Sequence, residues 1–303
     1  MLIDEILDNW RLTPKGYIKR IASLGDGESS AWTIKTANGS GVAIPYVGSD
    51  VICEEFTGAK IQNEEIILDS SERRSVLLLT STSGNESMAF AALCAELVYP
   101  GNNCELRNKI SSNPVAWWIK WKELLGNKNV EARVYDVLGE LCVLRYLSSK
   151  SKYPIWNGPN GATYDIECIS EFYEVKSTVI RSRLEITISN QFQLNKKEKD
   201  LFLIVCQFEP ADEGLCINNL VNDLEFYGYN VMDLNDKLTN LGFEIGKSSR
   251  NKSYILHQML KYKIDDTFPS ITPSSFIGGT LPIGITKINY TVSLDGLSPE
   301  VIL

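Results

Sequence analysis

The stretch that decides the fold is residues 164–178, YDIECISEFYEVKST. It holds four acids, Asp165, Glu167, Glu171 and Glu174, and a lysine, Lys176, two places after the last of them. Side chains alternate between the faces of a strand, so Glu174 and Lys176 point one way while Tyr173 and Val175 point into packing. Two readings follow. One is a metal-dependent hydrolytic centre. The other is a hairpin with a wet face, on which Glu174 and Lys176 pair with cross-strand neighbours. An acid-x-Lys triplet arises easily by chance in a chain with 38 acidic residues, so the triplet alone leaves both open.

The flanks add context. Upstream, residues 130–149 form the clearest helix: Val130, Val134, Val137, Leu141 and Leu144 recur at helical spacing, and Leu138 and Leu147 widen the stripe. Gly139 inside it costs about 1 kcal/mol against Ala, which points to close approach by another backbone. Glu140 is the next residue. The turn-rich WNGPNGATYDIEC leads into a first strand. SEFYEVKST is a second, LEITISN a third, QFQLNKKEK a short helix or turn, and DLFLIVCQF a fourth strand. The fourth is apolar nearly throughout, as a central strand buried on both faces should be. Asp165 falls where the first strand begins or bends, and Glu140 on the flank of the helix.

This order suits phosphodiester hydrolysis. Mg²⁺ takes hard oxygen ligands, and one or two carboxylates plus a phosphate oxygen can hold it. Such an ion polarises the phosphate and lowers the pKa of a bound water. A nearby lysine can orient that water and stabilise developing charge. Val175 offers its backbone carbonyl as a further oxygen ligand. The set needs neither histidine nor cysteine.

Composition agrees. There is one histidine, His257, so multi-histidine metal sites and Cys/His zinc ribbons are excluded. His257 lies in SYILHQMLKYK, which reads as helical, and a packing histidine is the expectation. Seven cysteines, odd in number and with no C-x-x-C spacing, read as reduced core residues rather than a disulfide frame or zinc site. No apolar run is long enough to span a membrane, and the N-terminus lacks a signal-peptide pattern, so a cytoplasmic protein is expected.

Elsewhere, residues 1–20 open with a short helix. From Tyr17 to about Asp69, short β-rich runs are broken by Gly, Asn, Asp and Ser turns, and RRSVLLLTST adds a strand. NESMAFAALCAELVYP has a helical pattern, with Asn85 or Ser87 as its N-cap and Pro100 just past its end, and residues 104–125 continue helical to a stop at Gly126. Residues 217–243 read as helical, and ITKINYTVSL near the end as β.

The pieces GELCVLRYL (139–147), WNGP (156–159), YDIE (164–167), YEVKST (173–178) and ISNQFQL (188–194) together resemble the PD-(D/E)xK nuclease superfamily. More narrowly, they resemble the PD-(D/E)xK family of bacterial restriction–modification and phage-defence loci. The resemblance implies an α/β (α+β) fold: a restriction-endonuclease-like core of a mixed central sheet flanked by helices, with an N-terminal β-rich module. The expected segments are the β-module at 1–80, a helical connector at 81–126, the nuclease core at 127–212 and a helical/β extension at 213–303.

Carried over by position, Asp165 and Glu174 are metal ligands with Val175, Lys176 is the catalytic lysine, and Glu140 is the helix acid that completes the site. Gln193 falls where the family has a glutamine near the site or the DNA backbone. Tyr164 stands where the motif has proline. Glu167 is a neighbour or alternative ligand, and Ser177 and Thr178 either donate to a phosphate or pack. The implied cofactor is Mg²⁺, with Mn²⁺ as substitute. The implied partners are double-stranded DNA, a second copy of the chain, and a methyltransferase or other defence-system proteins, with no membrane.

The net charge of −8 speaks against coating nucleic acid through bulk charge. It hides a local excess: from Lys176 to Lys199, the cations Lys176, Arg181, Arg183, Lys196, Lys197 and Lys199 outnumber Glu185 and Glu198. Phosphate contacts are made by such side chains, so Arg181, Arg183, Lys196 and Lys197, with Gln193, are the candidate DNA contacts. KGYIKR (15–20) and KSSRNK (247–252) are either second contact surfaces or plain loops. Trp117, Trp118 and Trp121 read as core or interface rather than base-stacking. The competing function is a catalytically inactive DNA-binding or assembly subunit with the same fold.

Overall fold

A computed structural model describes the chain except residues 38, 57, 69–71, 83, 85, 125–133, 181–182, 191, 196–197, 273–274 and 280–282. It divides into two compact units. The first comprises Met1–Asn129 and Ile245–Ser248, the second Val130–Glu244 and Ser249–Leu303. Among the described residues no helix is long and apolar enough to cross a membrane. All seven cysteines are free and five are buried.

In the first unit, helix α1 (Leu2–Leu12) precedes six strands: β1 (Ile18–Arg20), β2 (Trp32–Lys35), β3 (Ser40–Pro45), β4 (Cys53–Phe56), β5 (Ala59–Ile67) and β6 (Arg73–Ser81). They form one antiparallel sheet in the order β1-β2-β3-β6-β5-β4. Three helices follow, α2 (Met88–Val98), α3 (Glu105–Ser112) and α4 (Pro114–Leu124). Ser87 caps α2 by accepting the Phe90 N–H. Asn85 and Gly126 lie outside the described residues. The helical run from 104 is split at Asn113, because Pro114 opens α4 as a first-turn residue. Trp118 is buried in this unit's core, with Trp117 and Trp121 packed against it.

The second unit carries the opening stretch. Its elements are α5 (Val134–Ser149), β7 (Ile155–Trp156), β8 (Ile166–Glu167), β9 (Glu171–Thr178), β10 (Glu185–Ile188), β11 (Asp200–Ala211), α6 (Ile217–Phe226), α7 (Val231–Asn240), β12 (Ser253–Ile264), β13 (Tyr290–Ser293) and β14 (Glu300–Val301). Val130 lies outside the described residues; the rest of the expected α5 stripe is buried. A mixed six-stranded sheet runs β14-β12-β11-β9-β8-β7, with β11 and β9 parallel and the other pairs antiparallel. This is the restriction-endonuclease-like α+β architecture.

Strand alternation sorts β11 between two cores. Ile204, Cys206 and Phe208 meet α5, α6 and α7 on one face. Leu201, Leu203 and Val205 meet Ile186, Ile188 and Val292 on the other. The expected third strand, β10, therefore does not join the central sheet. It pairs antiparallel with β13 in a separate two-stranded ribbon on the face opposite the helices.

His257 departs from the sequence reading. It sits on β12, a twelve-residue strand, and not on a helix. Its ring is partly exposed and bonds Glu209 at 2.8 Å, so it is a surface histidine rather than a packing one. The apolar residues of SYILHQMLKYK suit either period; pairing with β11 through eleven positions decides for the strand.

Candidate active site

The site forms where the central sheet opens. β8 pairs with β9 only at Ile166–Tyr173 and Glu167–Phe172. Beyond Tyr173, β9 has no neighbouring strand on that side among the described residues. The next inward donor, the Val175 N–H, is taken instead by Asp165 Oδ2 at 2.8 Å. A carboxylate thus replaces a strand at the gap, which satisfies the buried amide and aims Asp165 along β9.

The WNGP turn holds that geometry. The N–H groups of Asn157 and Gly158 both donate to the Asp165 carbonyl, at 2.8 and 3.0 Å. Tyr164, in the proline's place, is buried, stacks on Phe172 and donates to the Asn195 carbonyl, so packing anchors the chain just before Asp165. The Trp156 indole N–H donates to Glu140 Oε2 at 2.6 Å and brings the helix acid to the same place. A Cβ on Gly158 would stand 2.6 Å from Glu140 Oε2 and 3.2 Å from Asp165 Oδ1. The two carboxylates thus converge on a point only glycine leaves open. Sequence reading assigned no role to Trp156 or Gly158; the Trp-Asn-Gly-Pro turn before Asp165 was the signal.

Gly139 has the matching task on α5. A Cβ there would lie 2.1 Å from Ser177 Oγ. The close approach is by a side chain, not by the backbone expected from the sequence. It sets α5 against β9 and puts Glu140 beside the gap.

Glu140, Asp165, Glu174, Val175 and Lys176 line one cavity of about 640 Å³, together with Ser177, Thr178 and Gln193. Glu174 is 1% exposed and Lys176 Nζ stands 2.8 Å from its Oε1. Apart from that ion pair, neither Glu174 oxygen has a hydrogen-bond partner among the described residues. Burial and the Asp165 charge push Glu174 up to about 8, against the pull of Lys176. Burial, then Asp165, holds Glu140 well above the usual carboxylate range despite the Trp156 bond. Burial also raises Asp165, opposed by the Val175 N–H and Lys176. For Lys176 burial acts downward, but Glu174 outweighs it and the ammonium is held above its ordinary value.

Such a cluster is short of positive charge. Hard carboxylate oxygens, those of Glu174 with only the Lys176 ammonium against them among the described residues, fit a divalent cation. Among the described residues no three acidic, histidine or cysteine side chains already stand in a ligating arrangement. Lys176 and raised proton affinity relieve the repulsion instead.

Other expected residues fall differently. Gln193 lines the cavity, and its Oε1 accepts the Ser189 N–H at 2.8 Å. Ser177 Oγ is buried with no partner among the described residues, and Thr178 Oγ1 accepts the Ile180 N–H. Arg183 is exposed, while Arg181, Lys196 and Lys197 lie outside the described residues. Glu167 is not a cavity residue: Lys199 Nζ binds it at 2.6 Å and Asn157 at 3.3 Å. The same bond removes Lys199 from the free cations. Glu171 pairs with Lys152. Arg250 of the KSSRNK loop is buried and bonds Asn218 and Asn235, so that cation serves the fold.

Residues 20–295 match the family described as "Putative PD-(D/E)XK family member, (DUF4420)". The chain belongs to this PD-(D/E)XK family. The match takes in the whole split-sheet site and the β10–β13 ribbon. No match was found among curated proteins or among solved structures. PD-(D/E)XK membership accounts for acids and a lysine grouped at one sheet gap, and it makes a nuclease-type activity the reading to test.

Proposed function

We propose that this protein is a metal-dependent DNA endonuclease of a bacterial restriction or phage-defence system. One observation carries the reading: Asp165 fills the gap beside β9 while Glu140, Glu174 and Lys176 share its cavity. Each of the three carboxylates has a partner, Val175 N–H, the Trp156 indole or Lys176, but among the described residues Lys176 is the one cation paired with them, and burying that much negative charge together is costly. Asp165, Glu174 and Glu140, with the Val175 carbonyl, would hold Mg²⁺ or Mn²⁺. Bound there, the ion supplies phosphate polarisation and a water of lowered pKa. Lys176 orients the nucleophile and stabilises charge on the scissile phosphate. Val175 N–H and the WNGP turn keep Asp165 in place through the reaction. Two copies of the chain would serve the two strands of a duplex, and a methyltransferase would protect the host sites.

The test is cleavage of plasmid DNA. Wild-type chain cuts with Mg²⁺ or Mn²⁺ and not with chelator; Lys176→Ala and Asp165→Ala lower the rate by about a hundredfold or more. Wild-type rates in either variant would remove the site assignment. A second reading, a non-catalytic DNA-binding or assembly subunit, draws support from the lack of a preformed ligand set among the described residues. It expects duplex binding with no cleavage under any divalent metal.

A further inference from the structure

The ribbon opposite the helices has one buried and one bare face. In register, Glu185 faces Ser293, Ile186 faces Val292, Thr187 faces Thr291 and Ile188 faces Tyr290. Ile186, Ile188 and Val292 are buried against Leu201, Leu203 and Val205 of β11. Glu185, Thr187, Thr291 and Ser293 are exposed on the outer face. Directly opposed residues of an antiparallel pair project to the same side, so these four form one small polar surface.

That surface adjoins the site. Glu185 and Thr187 line the same cavity as Asp165, Glu174 and Lys176. Among the described residues, neither they nor Thr291 have a hydrogen-bond or ion-pair partner, while Ser293 Oγ accepts the Asp295 N–H. Nothing in the fold uses the three free side chains. Exposed cations stand at the two ends: Arg183 precedes β10 and Lys287 precedes β13, and the strands run antiparallel.

This chemistry suits base edges more than phosphates. A carboxylate repels the backbone but accepts from an amino group; Glu pairs with cytosine N4, and threonine serves either role. Two strands about 4.8 Å apart fit the B-DNA major groove, which is about 12 Å wide. The major groove of A-form RNA is too narrow and deep for side chains to read. We propose that the β10–β13 ribbon enters the major groove of duplex DNA beside the scissile phosphate and reads base pairs there. Glu185 accepts from a cytosine amino group, Thr187 and Thr291 contact the adjoining bases, and Arg183 and Lys287 grip phosphates on the two rims. The inference rests on the reading that the cavity takes a DNA phosphodiester.

The test uses the full chain and a randomised duplex library, with Ca²⁺ to permit binding and Mg²⁺ to score cut ends. Wild-type protein selects a motif with a C·G pair at one position. Glu185→Ala lowers preference there by about tenfold while the salt dependence of binding is kept. Glu185→Gln redirects it toward adenine, since an amide pairs with adenine N6 and N7. Both positions are surface sites, and unchanged thermal melts verify folding. If the motif is identical in Glu185→Ala, Glu185→Gln and Thr187→Ala, the ribbon does not read bases, even where cleavage persists. A Glu185-dependent motif without cleavage upholds the ribbon and sinks the nuclease reading. No duplex binding overturns both.

Discussion

Glu174 concentrates the electrostatics of the site. It is buried, it faces Asp165, and its proton affinity is raised to about 8. In the unfolded chain it titrates near the ordinary glutamate value, about 4.3. Between those values the folded state binds more protons, so stability falls as pH rises through that window. Glu140 and Asp165 are raised too and act in the same direction. Metal-free protein should therefore melt at a higher temperature at pH 5 than at pH 8.5, with Glu174→Gln flattening the difference. A melt that rises with pH instead would show that the cluster is already neutralised some other way.

At the scale of elements, the site depends on how closely α5 approaches β9. Adding a methyl at Gly139 supplies about 1 kcal/mol of helix propensity but collides with Ser177 Oγ. The collision should win, because overpacking costs about 1–3 kcal/mol. Gly139→Ala is thus expected to be destabilising. Ser177→Ala removes the colliding atom, itself a buried hydroxyl with no partner among the described residues. In that background Gly139→Ala should become neutral or stabilising, a coupling that denaturant midpoints of the four proteins in the cycle would reveal. Equal effects in both backgrounds would mean that α5 simply slides away.

For the whole molecule, residues 253–303 belong to the same compact unit as the candidate site. β12 pairs with β11 through eleven positions, and β13 supplies half of the ribbon. Ending the chain after Lys252 would bare one edge of β11 and strip Leu260, Tyr262, Ile264 and Val292 from the core that covers Leu201, Leu203 and Val205. An exposed apolar edge strand invites association. The truncated chain should elute as aggregate in size-exclusion chromatography and lose any cleavage; a monodisperse, protease-resistant product would contradict this account of the core.

Sequence alone determined what local periodicity can report. The α5 stripe, the doubly buried β11 and the shared face of Glu174 and Lys176 were legible because each depends on residues a few places apart, while the α2 cap was narrowed only to Asn85 or Ser87. The opening stretch left two readings because strand alternation says which face a side chain takes, not what stands opposite. Tertiary structure decided that. It set Asp165 in the gap beside Val175, turned Trp156 onto Glu140, gave Glu167 to Lys199 and buried Arg250 in a polar pocket. It also made SYILHQMLKYK a strand and joined β10 to β13 about a hundred residues away. Those pairings are non-local: a hydrogen bond or strand partner drawn from a distant segment leaves no periodic trace in the segment that receives it.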